Sequence, residues 1–113
     1  MDDCLFCRIA KGEIESNKVL DRGGVIAFRD INPQAPTHIQ IIPKEHVKDM
    51  TTLTEAHSGL LAEIFVAAKE LAESEGLNSG FRVVANVGPD AGQSVFHLHF
   101  HLIGGRQMGW PPG

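Results

Sequence analysis

The chain has no tyrosine, a single tryptophan and only two cysteines among 113 residues. Two cysteines three positions apart, Cys4 and Cys7, cannot build the disulfide framework of a small secreted domain, so a hydrophobic core must hold the fold. Basic runs are also missing, and the net charge of −4 disfavours a protein that coats nucleic acid. No apolar stretch approaches the roughly 18 residues needed to span a bilayer. The N-terminus opens on acids, not on the basic segment of a secretory signal. These absences predict a cytoplasmic protein with neither a membrane nor a nucleic acid as partner. Internal repeats, linkers and low-complexity segments are absent too, which leaves residues 1–113 as a single domain. A hydrophobic content of 42% with 21% charged residues is ordinary for a globular domain with a real core.

What the chain does have is histidine in an unusual place. In Ser94-Val95-Phe96-His97-Leu98-His99-Phe100-His101-Leu102-Ile103 polar and apolar residues alternate strictly, as in a strand buried on one face. The alternation puts His97, His99 and His101 on one side and Phe96, Leu98, Phe100 and Leu102 on the other. Three readings compete for the histidine row: a polar face without function, a shared metal, or a nucleophilic imidazole flanked by hydrogen-bonding partners. Three histidines in register make the first a poor account. Alternate strand residues lie about 6.6 Å apart and the outer pair about 13 Å, from a rise of about 3.3 Å per residue. A metal with bonds of about 2 Å can therefore collect two of the three but not all. The spacing favours the nucleophile.

The rest of the chain predicts the surroundings of that strand. Leu5 to Ala10 reads as a short helix stopped near Gly12. Val19-Leu20 and Val25 to Phe28 read as a hairpin around Asp21-Arg22-Gly23-Gly24. Pro33 and Pro36 make residues 31–36 a loop. Thr37 to Ile42 is a strand with His38, Gln40 and Ile42 on one face and Ile39 and Ile41 on the other. Thr52-Leu53-Thr54-Glu55 has the pattern of a capping box, opening a helix to about Glu75. Its apolar stripe is Leu60, Leu61, Ile64, Phe65, Ala68, Leu71 and Ala72, and Gly76 suits the left-handed stop. Phe81 to Val87 alternates again, followed by a turn at residues 88–92. Strands, one long helix, then strands predict an α+β fold: an antiparallel sheet with the helix over one face.

His97-Leu98-His99-Phe100-His101-Leu102-Ile103 resembles the His-x-His-x-His-x-x signature of the histidine triad nucleotide-binding proteins. Asp30-Ile31-Asn32-Pro33-Gln34-Ala35-Pro36-Thr37-His38, Gly92-Gln93-Ser94, Gly104-Gly105-Arg106-Gln107-Met108 and Trp110-Pro111-Pro112-Gly113 resemble the Hint branch of that family. The resemblance implies a five-stranded antiparallel sheet with one long and one short N-terminal helix, dimerising into a continuous ten-stranded sheet. It also implies a hydrolase of purine nucleoside phosphoramidates (adenosine 5′-monophosphoramidate or aminoacyl-AMP type), working through a nucleotidyl-histidine without a catalytic cofactor. In the implied roles His99 is the nucleophile, His101 binds the phosphate, His97 orders the neighbourhood, and His38 is a fourth histidine beside the triad. Ser94 lies near the leaving group, and the backbone of Gly92, Gln93 and Ser94 meets phosphate oxygens. Asp30 takes the ribose hydroxyls and Asn86 the phosphate side. Leu5, Phe6, Ile9, Phe28 and Ile31 could wall the base, and Trp110 reaches the partner subunit's site. Gln40 departs from the resemblance, because an aliphatic is usual there, and it bears on purine selectivity.

Cys4-x-x-Cys7 offers half of a tetrahedral zinc site. The resemblance supplies the other half, His46 and His97, as ligands of a structural zinc; two unligated thiols are the alternative. A thioredoxin-like pair would need a strand ahead of Cys4, for which there is almost no chain. His57 is expected on a solvated helix surface. Two other functions stay open: a nucleotide-binding scaffold with incidental hydrolysis, and a zinc hydrolase using two triad histidines as ligands.

Overall fold

A computed structural model describes residues 3–113. The elements follow in the order α1 (Leu5–Ala10), β1 (Lys18–Arg22), β2 (Val25–Arg29), β3 (Thr37–Pro43), α2 (Ser58–Ser74), β4 (Phe81–Val84) and β5 (Phe100–Gly104). The strands form one sheet in the order β1-β2-β3-β5-β4, antiparallel at every pairing. β3 and β5, which carry the histidines, are therefore interior strands, and their backbone is fixed by ladders on both edges.

The pleat divides the sheet into two unlike faces. Val25, Ala27, Ile39, Ile41, Phe100 and Leu102 point to one side, where Ile64, Ala67, Ala68, Leu71 and Ala72 of α2 close the main core over them. On the other side Ile26, Phe28 and Ile42 join Phe6 and Ile9 of α1 in a smaller cluster. The short helix covers only part of that face, and His38, Gln40, His99 and His101 occupy the remainder. α2 is anchored at its C-terminal end, where Arg29 donates to both carboxylate oxygens of Glu75 at 2.8 and 2.9 Å and Thr37 Oγ1 adds a third bond at 3.2 Å. The Arg29 guanidinium holds the Glu75 carboxyl below its usual range. Gly76, at φ +72°, then lets the Leu77 N–H reach back to the Ala72 carbonyl at 2.9 Å.

Three expectations change. The histidine strand begins at Phe100, not at Ser94. β3 pairs with β5 from Thr37↔Gly104 to Ile41↔Phe100, and the next steps would set Pro43, which has no N–H, against Leu98. The ladder stops there, Leu98 N donates instead to the Val47 carbonyl at 2.6 Å, and Phe96 is left 56% exposed, outside the core. β4 ends at Val84 rather than Val87. The long helix starts at Ser58 after a single 3-10 turn, Glu55–His57, whose cap is Thr54 and not Thr52. The reciprocal partner is the His57 ring, which accepts from Thr54 N at 3.0 Å, so His57 belongs to the cap.

Candidate active site and metal centre

His99 lies just ahead of β5 and is 8% exposed. Its Nδ1 is 2.7 Å from the carbonyl oxygen of His97. A carbonyl only accepts, so Nδ1 carries the proton and Nε2 keeps a free lone pair. The edge of Phe6 packs against the ring at a centroid distance of 5.2 Å and fixes its plane. The central imidazole is thus held in one tautomer, with an unprotonated nitrogen of the kind a nucleophile needs.

His101 has the opposite tautomer. The Gln34 N–H donates to His38 Nδ1 at 3.0 Å, which puts the His38 proton on Nε2. That Nε2 is 2.8 Å from His101 Nδ1 and donates to it, so His101 carries its own proton on Nε2. Burial, helped by the neighbouring His99 and His38, pushes His101 down to about 4. At neutral pH it is an uncharged N–H donor beside the lone pair of His99, the two rings being 5.1 Å apart. Asp30, His38 and His101 also cluster closely enough for a cation, but both ring nitrogens facing each other there are engaged in this hydrogen bond.

Asp30 adjoins the relay. Its Oδ1 accepts from Asn32 N at 2.8 Å and its Oδ2 from Gln40 Nε2 at 2.7 Å. Ile31 is fully exposed beside it, and Phe6 and Ile9 are buried in the smaller cluster. Of the loop residues, Ser94 is exposed and Gly92 adopts a left-handed conformation. The Gln93 side chain is a strut: it accepts from Gly88 N at 2.9 Å and donates to the carbonyls of Lys48 and Val95 at 3.3 Å. Asn86 donates to the Ala91 carbonyl at 2.8 Å and braces the same loop. Trp110 stands 83% exposed in the tail.

His97 faces away from the other two rings. It is fully buried, and its Nε2 donates to the Pro43 carbonyl at 2.8 Å, which leaves the Nδ1 lone pair directed at the cysteines. His97 Nδ1 is 3.3 Å from Cys4 Sγ and 3.5 Å from Cys7 Sγ, and His46 Nδ1 is 3.3 Å from Cys7 Sγ. All four donor atoms lie within 4.8 Å of one another. Zinc bonds of about 2.3 Å to sulfur and 2.0–2.1 Å to nitrogen in a tetrahedron require sulfur–nitrogen edges of roughly 3.6 Å. The donor set and its spacing therefore fit a structural zinc, and the Pro43 carbonyl is the outer-shell partner that such a histidine needs. Without an ion, burial and the adjacent Cys4 push the Cys7 thiol up to about 11; a bound zinc would hold it as thiolate. Burial likewise lowers His97.

Two contributors escape a side-chain reading of the sequence, because both act through the backbone. These are the Pro43 carbonyl and the Gln34 N–H. The only sequence signal is indirect: a proline closing the strand, and a loop held by two prolines next to His38.

Comparison with known proteins follows the same lines. A family model described as HIT domain matches residues 11–108. The 14 kDa zinc-binding protein of Zea mays is 55% identical over 113 residues, covering 96% of this chain and 87% of its own length. Adenylylsulfatase HINT1 of Arabidopsis thaliana is 48% identical over 111 residues, covering 96% and 76%. The crystal structure of a HIT family hydrolase from Legionella pneumophila Philadelphia 1 superposes with a TM-score of 0.96 at 53% identity, covering 98% of this chain and all of that one.

Proposed function

The chain belongs to the HIT domain family, and from that premise we propose that it hydrolyses phosphoramidates of purine nucleotides, releasing a nucleoside monophosphate and an amine. The observation that carries this reading is the pair of opposite tautomers: a free lone pair on His99 Nε2 beside a neutral N–H on His101. His99 Nε2 attacks the α-phosphorus and the bond from phosphorus to the amine nitrogen breaks. The amine departs with a proton relayed through the exposed Ser94 hydroxyl, since an amide anion is a very poor leaving group. His101 donates to a phosphate oxygen as charge builds there. Water then attacks phosphorus, the bond to Nε2 breaks, and the proton released by water balances the one taken by the amine. Asp30, held by Asn32 and Gln40, accepts from the ribose, and Phe6, Ile9 and Phe28 offer the apolar wall for a base.

Cys4, Cys7, His46 and His97 would hold a zinc that ties the start of α1 to the loop preceding β5. β4 is an open edge of the sheet, and Phe81 on it and Phe65 and Val66 on α2 are about half exposed. This supports a homodimer that pairs the two β4 edges into a ten-stranded sheet and brings Trp110 to the partner's site. The name of the Arabidopsis relative supports a wider substrate range in which sulfate replaces the amine, since the attack at phosphorus is the same.

The test is mass spectrometry of protein quenched during turnover of adenosine 5′-phosphoramidate. A nucleotide bonded to His99 is expected. Turnover without it, abolished by chelation while the fold persists, would favour a metal-dependent hydrolase; nucleotide binding without turnover would favour a scaffold.

A further inference from the structure

Cys4 caps α1 and Cys7 is the third residue of that helix, with the Cys7 N–H on Cys4 Sγ at 3.3 Å. Three residues of helical rise and turn put the two Cα atoms about 5 Å apart. A disulfide bridges Cα separations of about 4.4–6.8 Å, so this pair can close without moving the helix. Both thiols are free. Cys4 is half-buried and borders an open groove of about 720 Å³ that Leu5, His46, Lys48 and Phe96 also line, whereas Cys7 is buried. A small solute therefore has access to one sulfur, and the second lies within 4.8 Å of the first. An accessible sulfur with a second one in reach is the arrangement of thiols that oxidise reversibly.

His97 is the group that registers the state of the pair. Its Nε2 donates to the Pro43 carbonyl, so its Nδ1 can only accept. The partner of that lone pair is the Cys4 S–H, 3.3 Å away, or a zinc held by the same four residues. A disulfide has no hydrogen to donate and no thiolate to ligate. The Nδ1 of a ring with 0% exposure would then have neither a protein partner nor water. His46 Nδ1 loses its Cys7 partner in the same event. The main chain of His97 carries the carbonyl that holds the His99 Nδ1 proton, so a displaced His97 also frees the His99 ring.

We propose that Cys4 and Cys7 are a peroxide-sensitive pair, whose disulfide displaces His97 and so releases the fixed tautomer of His99. The Cys4 thiolate attacks one oxygen of hydrogen peroxide, the O–O bond breaks, and a sulfenic acid and hydroxide form. The Cys7 thiolate then attacks the Cys4 sulfur and expels a second hydroxide. Two electrons pass from the sulfurs to the peroxide oxygens. The two hydroxides balance the Zn²⁺ set free when both thiolates were its ligands; in the metal-free chain the two thiol protons convert them to water. A dithiol restores the pair by exchange, as befits a transient disulfide in a reducing compartment. The effect on turnover rests on the reading of His99 as nucleophile, whereas the effect on its ring does not.

The test treats the zinc-loaded full chain, carrying ¹⁵N-labelled histidine, with hydrogen peroxide and then with dithiothreitol. Peroxide should lower the mass by two hydrogens and release about one zinc per disulfide. The His99 ring ¹⁵N signals should move from a fixed Nδ1–H form to exchange between tautomers, and dithiothreitol should reverse every change. With adenosine 5′-phosphoramidate, kcat should fall about tenfold or more and KM should change little. A chelator under reducing conditions should leave the His99 signals in place, because the Cys4 S–H still serves His97. Cys4→Ser should give no intrachain disulfide and no dithiothreitol-reversible change in those signals; Cys7→Ser replaces it if that variant melts early. Sulfinic acid formed without a disulfide overturns the proposal, as does a disulfide that leaves the His99 signals unchanged. So does a chelator that alone reproduces the whole change, or a disulfide that collapses the amide dispersion of the entire sheet. Absence of turnover before any oxidation counts against the hydrolase reading instead, and the ring signals still decide this proposal.

Discussion

Under α2 the sheet presents Val25, Ala27, Ile39, Ile41, Phe100 and Leu102, all buried and all apolar. The intervening residues of those strands, on the other face, include His38, Gln40 and His101, with His99 just ahead of β5, and the six-residue α1 covers only part of that face. The backbone pattern is common to both sides, so the contrast comes from side chains alone. The face beneath the long helix can be satisfied by any well-packed set of similar volume. The opposite face consists of polar groups whose hydrogen bonds form a directed chain from Gln34 through His38 to His101. One side supplies stability and the other holds proton positions, and a substitution should separate the two.

The sharpest separation is expected from His99→Ala against Leu102→Ala. The first should cut kcat/KM by about 10⁴-fold or more while leaving the urea midpoint nearly unchanged. The second should cost about 2–5 kcal/mol of stability with the chemistry intact in the folded fraction. A His99→Ala protein that keeps even a hundredth of its activity would erase the contrast. His38→Leu tests whether the relay matters: with no donor to its Nδ1, His101 loses the constraint on its tautomer. Steady-state kinetics should show kcat lowered roughly 10²-fold, with the thermal midpoint shifted far less than in Leu102→Ala.

Zinc analysis probes the same face at its other end. The purified chain should carry about one zinc, lost in Cys7→Ala together with several degrees of melting temperature. Acid titration gives a further contrast. His101 stays neutral in the fold down to about pH 4, whereas its ordinary value is 6.5. The unfolded chain takes up the proton first, so stability is held above pH 6.5 and falls as pH drops toward 4. The loss should be on the order of 2 kcal/mol for this half-buried ring. Urea melts of His101→Gln should show a flatter dependence over that window, whereas Leu102→Ala should be displaced without a change of slope. Smallest of all, Glu75→Gln should remove about 1 kcal/mol by weakening the bidentate pair with Arg29, and leave kcat unaltered.

Much of the apolar face was legible from periodicity. Ile39 and Ile41 on one side of β3 and His38, Gln40 and Ile42 on the other follow from alternation alone, and the α2 stripe from a period of 3.6. Phe65 is the exception on that stripe, half exposed although its ring packs edge-on against Phe100. The polar face was legible in its residue types but not in its geometry. Alternation from Ser94 onward looks like one strand, yet the missing N–H of Pro43, on a different strand, ends the ladder. His97 then swings toward the cysteines while His99 keeps the sheet face, so three histidines that alternate in sequence divide between two sites. No local pattern encodes this, because it depends on a pairing partner more than fifty residues away. The helix start was misplaced for a similar reason: two threonines compete as cap, and the His57 ring settles the choice through a bond that Glu55 was expected to make.

His97 gives its ring to the cysteine corner and its main-chain oxygen to the imidazole that follows two positions later. Whatever loosens the thiols therefore loosens the aim of the His99 ring, with only a few covalent bonds between cause and effect. A compound meant to silence this protein has in Cys4 and Cys7 a target other than the His99 imidazole itself.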